Sequence, residues 1–291
     1  MRLIFTLCTT LLAAACTEGT RTPRAARVDD FGDTLRLAAS PKRIVSLNPT
    51  TTEMMFALGA GHRLVGRTTW DFYPDSARLI PDLGNGIRPN VEAVLAARPD
   101  LVVLYASADN AAAARALRSA NVATLALKID SIGDFRRALA LVGLALGDSA
   151  RAAAVSDSVM RSIARARNAT LGNARPTVFW HMWDSPLLTI GGGSYLSELV
   201  AIAGGRNVYD SLPQPSPQIA FEDLARRDPE VILAAPEGVA RILADPAWRR
   251  LKAVRTGRVL AVDTTLVFRP SVRLGEAALS LAALLHPRSR P

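Results

Sequence analysis

The chain contains very little cysteine and histidine: of 291 residues, two are cysteine and three are histidine. Both cysteines, Cys8 and Cys16, precede residue 17, so the rest of the chain has no thiol for a disulfide or a thiolate metal site. The three histidines are scattered, which argues against a zinc site made of protein side chains alone. The fold must therefore rely on its hydrophobic core, and roughly 260 residues suffice for two lobes of ordinary domain size.

Familiar catalytic motifs are also missing. The sequence has no phosphate-binding Gly-Lys-Ser/Thr loop, no Gly-x-Ser-x-Gly turn and no His-Glu-x-x-His pair. The run Gly191–Gly193 with Ser194 precedes a predicted helix and would suit an anion. A tight turn between a strand and a helix explains it equally well. We therefore predict a protein that is not an enzyme, with an exported enzyme on an α/β scaffold as the alternative from another class.

Positive charge is in excess but is not clustered. The formal net charge is +9, from 35 basic and 26 acidic residues. The arginines are dispersed, and no nucleic-acid-binding motif accompanies them. We interpret the charge as the mark of an Arg- and Ala-rich composition and expect no nucleic-acid partner.

The first residues have the pattern of an export signal. Arg2 precedes the apolar run 3–15, which at thirteen residues is shorter than the roughly 20 needed to cross a bilayer. Cys16 follows small residues and resembles a lipoprotein cleavage site, although Ala13 stands where Leu is usual. We predict a signal peptide over 1–15, a lipidated Cys16, a polar tether over 16–27 and a periplasmic, membrane-anchored location. An ordinary signal peptide is the alternative.

One long stretch without glycine or proline, residues 148–171, carries apolar residues at a spacing of four: Val155, Val159 and Ile163. This spacing predicts an amphipathic helix, and Gly147 and Gly172 suit its ends. Its 24 residues would span roughly 36 Å, about the width of a small lobe. We interpret it as a strut joining two lobes.

The segments on either side of this helix resemble each other. Residues 91–103 reappear in type at 221–233, each a short helix pattern ended by proline and followed by a buried strand. Residues 53–59 likewise match 198–204, a helix closed by glycine. The alternation predicts two α/β lobes with mainly parallel central sheets, over 28–130 and 173–291, with connecting helices over 131–172 that include the strut.

Several short motifs carry a family resemblance. The stretch 41–47 with Pro49 and Thr52-Glu53 resembles the opening of periplasmic substrate-binding proteins of ABC importers, the cobalamin and iron-siderophore type. The stretches 64–66, 91–102 and 221–230 resemble later landmarks, and 66–74 with Arg269 is closest to the cobalamin-binding branch. The resemblance implies a class III receptor: two lobes, one rigid connecting helix and a metal chelate bound between them. A permease with its ATPase would receive this cargo, and we expect a monomer.

Candidate ligand-binding residues follow from the sheet architecture. Because ligands of open α/β sheets bind beyond the carboxyl ends of the strands, the loops after predicted strands are the candidates. They offer aromatic platforms (Trp70, Tyr73, Trp183 and Phe268), arginines for a polar rim (Arg88 and Arg269), and Pro49, Thr50, Tyr105, His181 and Met182. Ordinary packing is the alternative for each of them.

The predicted cargo is cobalamin or a related corrinoid, and no resident cofactor is expected. Ser216 and Gly86 stand where the vitamin-binding branch would have tryptophan, so haem or a ferric siderophore is the alternative. His181 would then be an axial metal ligand, or else be hydrogen-bonded inside the fold. Tyr73 or Tyr105 could also bind haem iron.

Glu92 and Glu222 occupy equivalent positions of the internal repeat. The resemblance implies that they dock onto arginines of the permease. A plain structural alternative is that glutamate near a helix N-terminus is favoured by the helix dipole. Exposed charge pairs mainly steer and orient partners, so docking through them would be sensitive to salt.

Overall fold

A computed structural model describes residues 28–287, in which strands and helices alternate. The first half contains β1 (Ile44–Leu47), α1 (Pro49–Ala57), β2 (Leu64–Gly66), α2 (Val91–Ala96), β3 (Leu101–Tyr105), α3 (Ala108–Ser119) and β4 (Ala123–Leu127). Two helices follow, α4 (Ile132–Leu146) and α5 (Ser149–Ala169). The second half contains β5 (Thr177–Trp180), α6 (Tyr195–Ile202), β6 (Arg206–Asn207), α7 (Phe221–Arg227), β7 (Val231–Ala234), α8 (Pro236–Ala244), α9 (Lys252–Arg255), β8 (Val259–Ala261), α10 (Thr264–Val267) and α11 (Leu274–Leu285).

Each half forms its own four-stranded parallel sheet. The strand orders are β2-β1-β3-β4 and β6-β5-β7-β8, so the second sheet repeats the connectivity of the first. The central strands are entirely or almost entirely buried because their residues are almost all apolar. The predicted architecture of two α/β lobes with parallel sheets is confirmed.

The internal repeat extends to the backbone. The residues before the prolines that end the repeated helices, Arg98 and Asp228, both adopt the left-handed conformation, with φ of 49° and 38°. Gly59 and Gly204, which end the other pair of repeated segments, have φ of 75° and 79°. Matching conformations at matching positions support the inference that the lobes share one plan.

The predicted strut is helix α5. Asp148 caps its first turn by accepting the N–H of Arg151, and Thr170 follows its last residue. Its buried stripe joins a hydrophobic core that contains residues of both lobes. At 1.5 Å per residue its 21 residues span about 32 Å.

Helices α4 and α11 pack on the strut from either side, each through a glycine. A Cβ built on Gly143 of α4 would lie 2.3 Å from Cβ of Ala152, and one on Gly275 of α11 would lie 1.4 Å from Oγ of Ser162. Any side chain at these positions would push the helices apart. The lobes and the strut are therefore closely packed.

The N-terminal hairpin that the pattern around Gly32-Asp33 suggests is reduced to one antiparallel bridge between Val28 and Thr34. The side chain of Asp29 accepts hydrogen bonds from the N–H groups of Phe31 and Asp33. These bonds take the place of the backbone hydrogen bonds that would pair two strands. Within residues 28–287, no helix has both the length and the apolar character needed to cross a membrane. The predicted signal peptide, Cys16 and the tether lie outside the described residues.

Candidate ligand-binding cleft

A cavity of about 790 Å³ opens between the two lobes. Its walls are the carboxyl ends of the strands and the loops and first helical turns that follow them, as expected for parallel sheets. The first lobe contributes residues at or after the ends of β1 (47–50), β2 (70, 72 and 85–87), β3 (105, 107, 109 and 110) and β4 (129). The second contributes residues after β5 (181–183), β7 (235, 237, 238 and 241) and β8 (264, 265 and 268–270).

Nine of the predicted ligand-binding residues lie in this wall: Pro49, Thr50, Trp70, Tyr105, His181, Met182, Trp183, Phe268 and Arg269. The other two, Tyr73 and Arg88, do not line the cavity. The guanidinium of Arg273 lies over the Tyr73 ring, 4.2 Å from the ring centroid. Arg88 has φ of 51° and pairs instead with Asp109, 2.8 Å away, so it extends along the surface.

Several residues of the cavity wall were not predicted from the sequence. The segment between Ala235 and Arg241 follows β7, so the expectation that ligands bind beyond the carboxyl ends of the strands applies to it as well. Phe72 lies in the same predicted loop as Trp70 but was not itself chosen, and nothing in the sequence pointed to Asn110. Asn110 is buried, and its side chain binds the carbonyl of Gly86 and the N–H of Arg88. It thereby fixes the loop that forms one wall.

Two tryptophans dominate the exposed apolar surface of the cleft, one from each lobe. Trp70 is 53% exposed and Trp183 57% exposed, although large apolar side chains are usually covered. Trp70 also packs edge-on against Phe72, with ring centroids 6.4 Å apart. Phe268 lines the cavity in front of the buried Trp180. The cleft thus offers aromatic platforms to a ligand with broad apolar faces.

His181 lines the cavity, and one of its two ring nitrogens is hydrogen-bonded inside the protein. Nε2 lies 2.7 Å from Oδ1 of Asp184, whose other oxygen pairs with Arg241 at 2.8 Å. Nδ1 faces the backbone of Gly238 and lies 3.1 Å from the position that a Cβ would take at this glycine. Nε2 is therefore hydrogen-bonded inside the fold, as one alternative for His181 expects, while Nδ1 makes no hydrogen bond with the residues that the structure describes.

Tyr105 is likewise engaged. Its hydroxyl donates to Oδ1 of Asp130 at 2.5 Å. Burial and the neighbouring carboxylates raise the pKa of Tyr105, so its side chain stays a neutral phenol. Iron in haem is bound by tyrosine as the phenolate, and this environment opposes that form.

Arg269 joins the lobes instead of presenting a free guanidinium to the rim. Nη2 donates to the carbonyl of Trp70 at 2.6 Å, and Nη1 donates to the carbonyl of Thr265 at 2.7 Å. Its guanidinium also lies 5.5 Å from the centroid of Phe72. Beneath it, burial raises the pKa of Glu53 from 4.5 to about 7, and the hydrogen bond from Ser271 and the charge of Arg269 oppose the rise.

The glycine run before α6 forms a tight turn. A Cβ on Gly191, Gly192 or Gly193 would lie within 2.2 Å of a backbone carbonyl between residues 210 and 214. The N–H groups of Gly191 and Gly192 donate to the carbonyls of Pro215 and Leu212. This favours the turn over the anion site.

Glu92 and Glu222 are exposed and stand in the first turns of α2 and α7. In a parallel sheet, a connecting helix runs from the carboxyl end of one strand to the amino end of the next. Both first turns therefore lie at the edge that holds the cleft, one in each lobe. Among residues 28–287, neither carboxylate takes part in an ion pair.

Comparisons with known proteins agree with this architecture. The chain is 29% identical over 272 residues to a cobalamin-binding protein of Halobacterium salinarum, covering 89% of this chain and 73% of that one. It is 26% identical over 251 residues to a vitamin B12-binding protein of Pectobacterium carotovorum, covering 85% and 89%. The periplasmic haem-binding protein RhuT from Roseiflexus superposes with a TM-score of 0.77 at 26% identity, covering 84% and 98%.

The family model described as periplasmic binding protein matches residues 44–266, which include both sheets and the strut. The resemblance seen in the short motifs is confirmed. The relatives named above are all binding proteins. The chain belongs to the periplasmic binding protein family.

Proposed function

We propose that this protein is the substrate-binding component of an ABC importer and that it captures cobalamin or a related corrinoid in the cleft. The observation that carries the proposal is that both lobes present broad aromatic faces to one cavity, in which two metal-ligand candidates are hydrogen-bonded to carboxylates. Trp70 and Trp183 are exposed from opposite lobes, whereas His181 and Tyr105 bind Asp184 and Asp130. A corrinoid such as cyanocobalamin brings both axial ligands of its cobalt and needs none from the receptor.

The size and polarity of the cavity support the same cargo. About 790 Å³ lies toward the upper end of the roughly 300–1,000 Å³ that is typical of small-molecule pockets, which leaves room for a large ligand. Uncharged hydrogen-bonding groups line it beside the aromatic rings, and they suit the amide side chains of a corrin ring: Asn48, Thr50, Asn85, Ser107, Thr264 and Thr265. Both arginines of the wall are engaged in the protein, which disfavours an anionic ferric siderophore.

Haem is the second candidate. The likeness to the haem-binding RhuT favours it, and the Met182 thioether in the wall is a type of ligand that haem iron accepts. Haem also has flat faces that would fit between the two tryptophans. It differs from cobalamin in needing an axial ligand from the protein.

Tryptophan-fluorescence titrations with cyanocobalamin, haem and a ferric siderophore distinguish these cargoes. We expect saturable quenching by cyanocobalamin and weaker affinity in Trp70→Ala and Trp183→Ala, by about tenfold or more for loss of an aromatic contact. Tyr73→Ala is the matched control, an exposed aromatic on the same loop but outside the wall. If the protein instead prefers haem, and the shifted Soret band of the bound haem is lost in Met182→Ala, then haem and not cobalamin is the cargo.

We propose further that Glu92 and Glu222 dock onto the permease. Their exposure, their equivalent positions and the cleft-side edge on which both stand support this role. Reversing both charges, Glu92→Arg with Glu222→Arg, should abolish uptake while the affinity for cargo stays unchanged. Asp157→Arg on the exposed face of α5 is the control and should leave uptake intact. Weaker cargo binding in the double variant would place these carboxylates in the pocket instead.

The anchor is a separate proposal. Cys16 is the residue expected to carry lipid, holding a monomeric receptor at the membrane of the periplasm, and the apolar run before it supports this. Incorporation of labelled palmitate should be lost in Cys16→Ser and kept in Cys8→Ser. Palmitate incorporation that survives Cys16→Ser would refute the assignment.

A further inference from the structure

Two glutamates at equivalent positions of the repeat reach out of their own lobes. Glu53 lies in α1 and Glu198 in α6, the helices that follow the first strands of the two sheets. Oε2 of Glu53 accepts the hydroxyl of Ser271 at 2.6 Å, and Ser271 precedes α11 of the second lobe. Oε1 of Glu198 accepts the N–H of Ile132 at 3.0 Å, and Ile132 begins α4, which follows the last strand of the first lobe.

These bonds are reciprocal. In each case, the helix after the first strand of one lobe binds a residue at or just before the N-terminus of a long helix that comes after the last strand of the other lobe: Ile132 begins α4, and Ser271 precedes α11. A backbone bond reinforces the second contact, from the N–H of Tyr195 to the carbonyl of Asp130 at 2.7 Å. The side chain of Arg269 reinforces the first by binding the carbonyl of Trp70. A bond from a glutamate of the first helix to the opposite side therefore occurs twice, at positions related by the duplication of the lobes.

The Glu53 tie adjoins the cleft directly. Ser271 follows Phe268, Arg269 and Pro270, which all line the cavity. Glu53 belongs to the helix whose first residues, Pro49 and Thr50, line it from the other lobe. The bond between Glu53 and Ser271 thus connects the two walls directly.

Burial makes this bond difficult to replace with water. Glu53 is 3% exposed and Ser271 1% exposed. A buried polar group that loses its partner keeps its full desolvation cost, so separating the lobes here is unfavourable. Asp71, Arg269 and Arg273 are the charged groups near Glu53, and Asp71 is itself held by Thr52 and Thr68.

We infer that Glu53, acting through Ser271, is a positioning residue that fixes the spacing of the two cleft walls. Its part in cargo affinity rests on the proposed function, but its part in lobe spacing does not. Removing the tie should let the segment that carries Phe268 and Arg269 move relative to Pro49 and Thr50. Cargo would then meet a cleft of variable width.

The test measures the lobe spacing directly. Spin labels are placed on Ala112→Cys in α3 and Ala240→Cys in α8, both exposed, in a chain with Cys8→Ser and Cys16→Ser. Glu53→Ala and Ser271→Ala should broaden the distance distribution between the labels and weaken cyanocobalamin binding by about tenfold. Glu53→Gln should restore both, because its amide oxygen accepts the same hydroxyl.

Glu230→Gln is the control. Glu230 also accepts a backbone N–H, that of Thr177 at 2.9 Å, but within a single lobe. This variant should leave the label distances and the affinity unchanged. Glu53→Ala removes a large buried side chain and can impair folding, so the smaller change Ser271→Ala carries the test on its own.

Unchanged distances in Ser271→Ala and Glu53→Ala would overturn the inference, whatever the cargo. Additive losses of cargo affinity when Glu53→Ala and Ser271→Ala are combined would also overturn it, because the effects of two substitutions that break the same bond are not additive. If the parent chain fails to bind cyanocobalamin, the proposed cargo is wrong, while the distance measurement still tests the tie.

Discussion

Replacing Glu53 by glutamine should stabilise this protein at alkaline pH. Burial raises the pKa of the Glu53 carboxyl from 4.5 to about 7, despite the Ser271 hydrogen bond and two nearby arginines. Glutamine has the same shape, keeps an acceptor for Ser271 and carries no charge. The substitution therefore removes an ionisation that the folded protein disfavours.

The sign and the size follow from linkage. Below pH 4.5 the carboxyl is protonated in the folded and the unfolded chain, so ionisation contributes nothing to the free energy of unfolding. Between pH 4.5 and 7 the unfolded chain ionises first, and stability falls. Above pH 7 the whole cost is present, about 3 kcal/mol for a pKa difference of about 2.5 at 1.36 kcal/mol per pH unit. Glu53→Gln should recover that amount at pH 8 and almost none at pH 4.5.

Denaturant unfolding at both pH values measures the difference between variant and parent. Asp71 and Glu198 also have raised pKa values, so only this difference isolates Glu53. Glu230→Gln is an opposite control, because hydrogen bonds from Thr177 and Lys252 lower the pKa of Glu230. Its ionised form contributes stability above the unfolded pKa, which is lost as pH falls, so that variant should be less stable at pH 8. A Glu53→Gln variant that gains nothing at pH 8 would refute the reasoning.

Three further predictions concern packing and local structure. Gly275→Ala should destabilise the protein by about 1–3 kcal/mol in thermal unfolding, because the new Cβ would collide with Ser162. Gly133→Ala is the control and should not destabilise the protein, because a Cβ there makes only an ordinary contact at 3.5 Å. Asn110→Ala should weaken cargo binding in fluorescence titrations, because it frees the loop at Gly86 and Arg88; unchanged affinity would exclude that loop from recognition. Ser131→Ala should cost about 1 kcal/mol in denaturant unfolding by removing the cap of α4, and a neutral result would show that Asp134 suffices.

The sequence was most informative where structure is set by local periodicity. The strut followed from the spacing of Val155, Val159 and Ile163, and the duplicated lobes followed from two short repeats. The repeats carry the strand-and-helix alternation, and alternation determines how parallel sheets connect. The loops of the cleft were found because they follow strands.

Side-chain directions in those loops could not be predicted. Tyr73 turns to Arg273, which is 200 positions further along the chain, and Arg88 turns to Asp109 on α3. The same holds for His181 and Tyr105, whose hydrogen-bond partners decide whether they are free to bind a metal. The interlobe bonds of Glu53 and Glu198 also join distant segments, although their matching positions in the repeat were visible from the start.

The placement of the four glutamates bears on how cargo would leave. Glu92 and Glu222 stand at the outer edge of the cleft, whereas Glu53 and Glu198 join the lobes. The lobes also share a core and close glycine contacts with the strut, so the cleft is largely preformed and binding needs little reordering. If a permease held both outer carboxylates and spread the lobes, the interlobe bonds would break, at about 1–3 kcal/mol for each buried partner left unsatisfied. Release would then require work from the importer, and weakening the ties should speed release more than it slows capture.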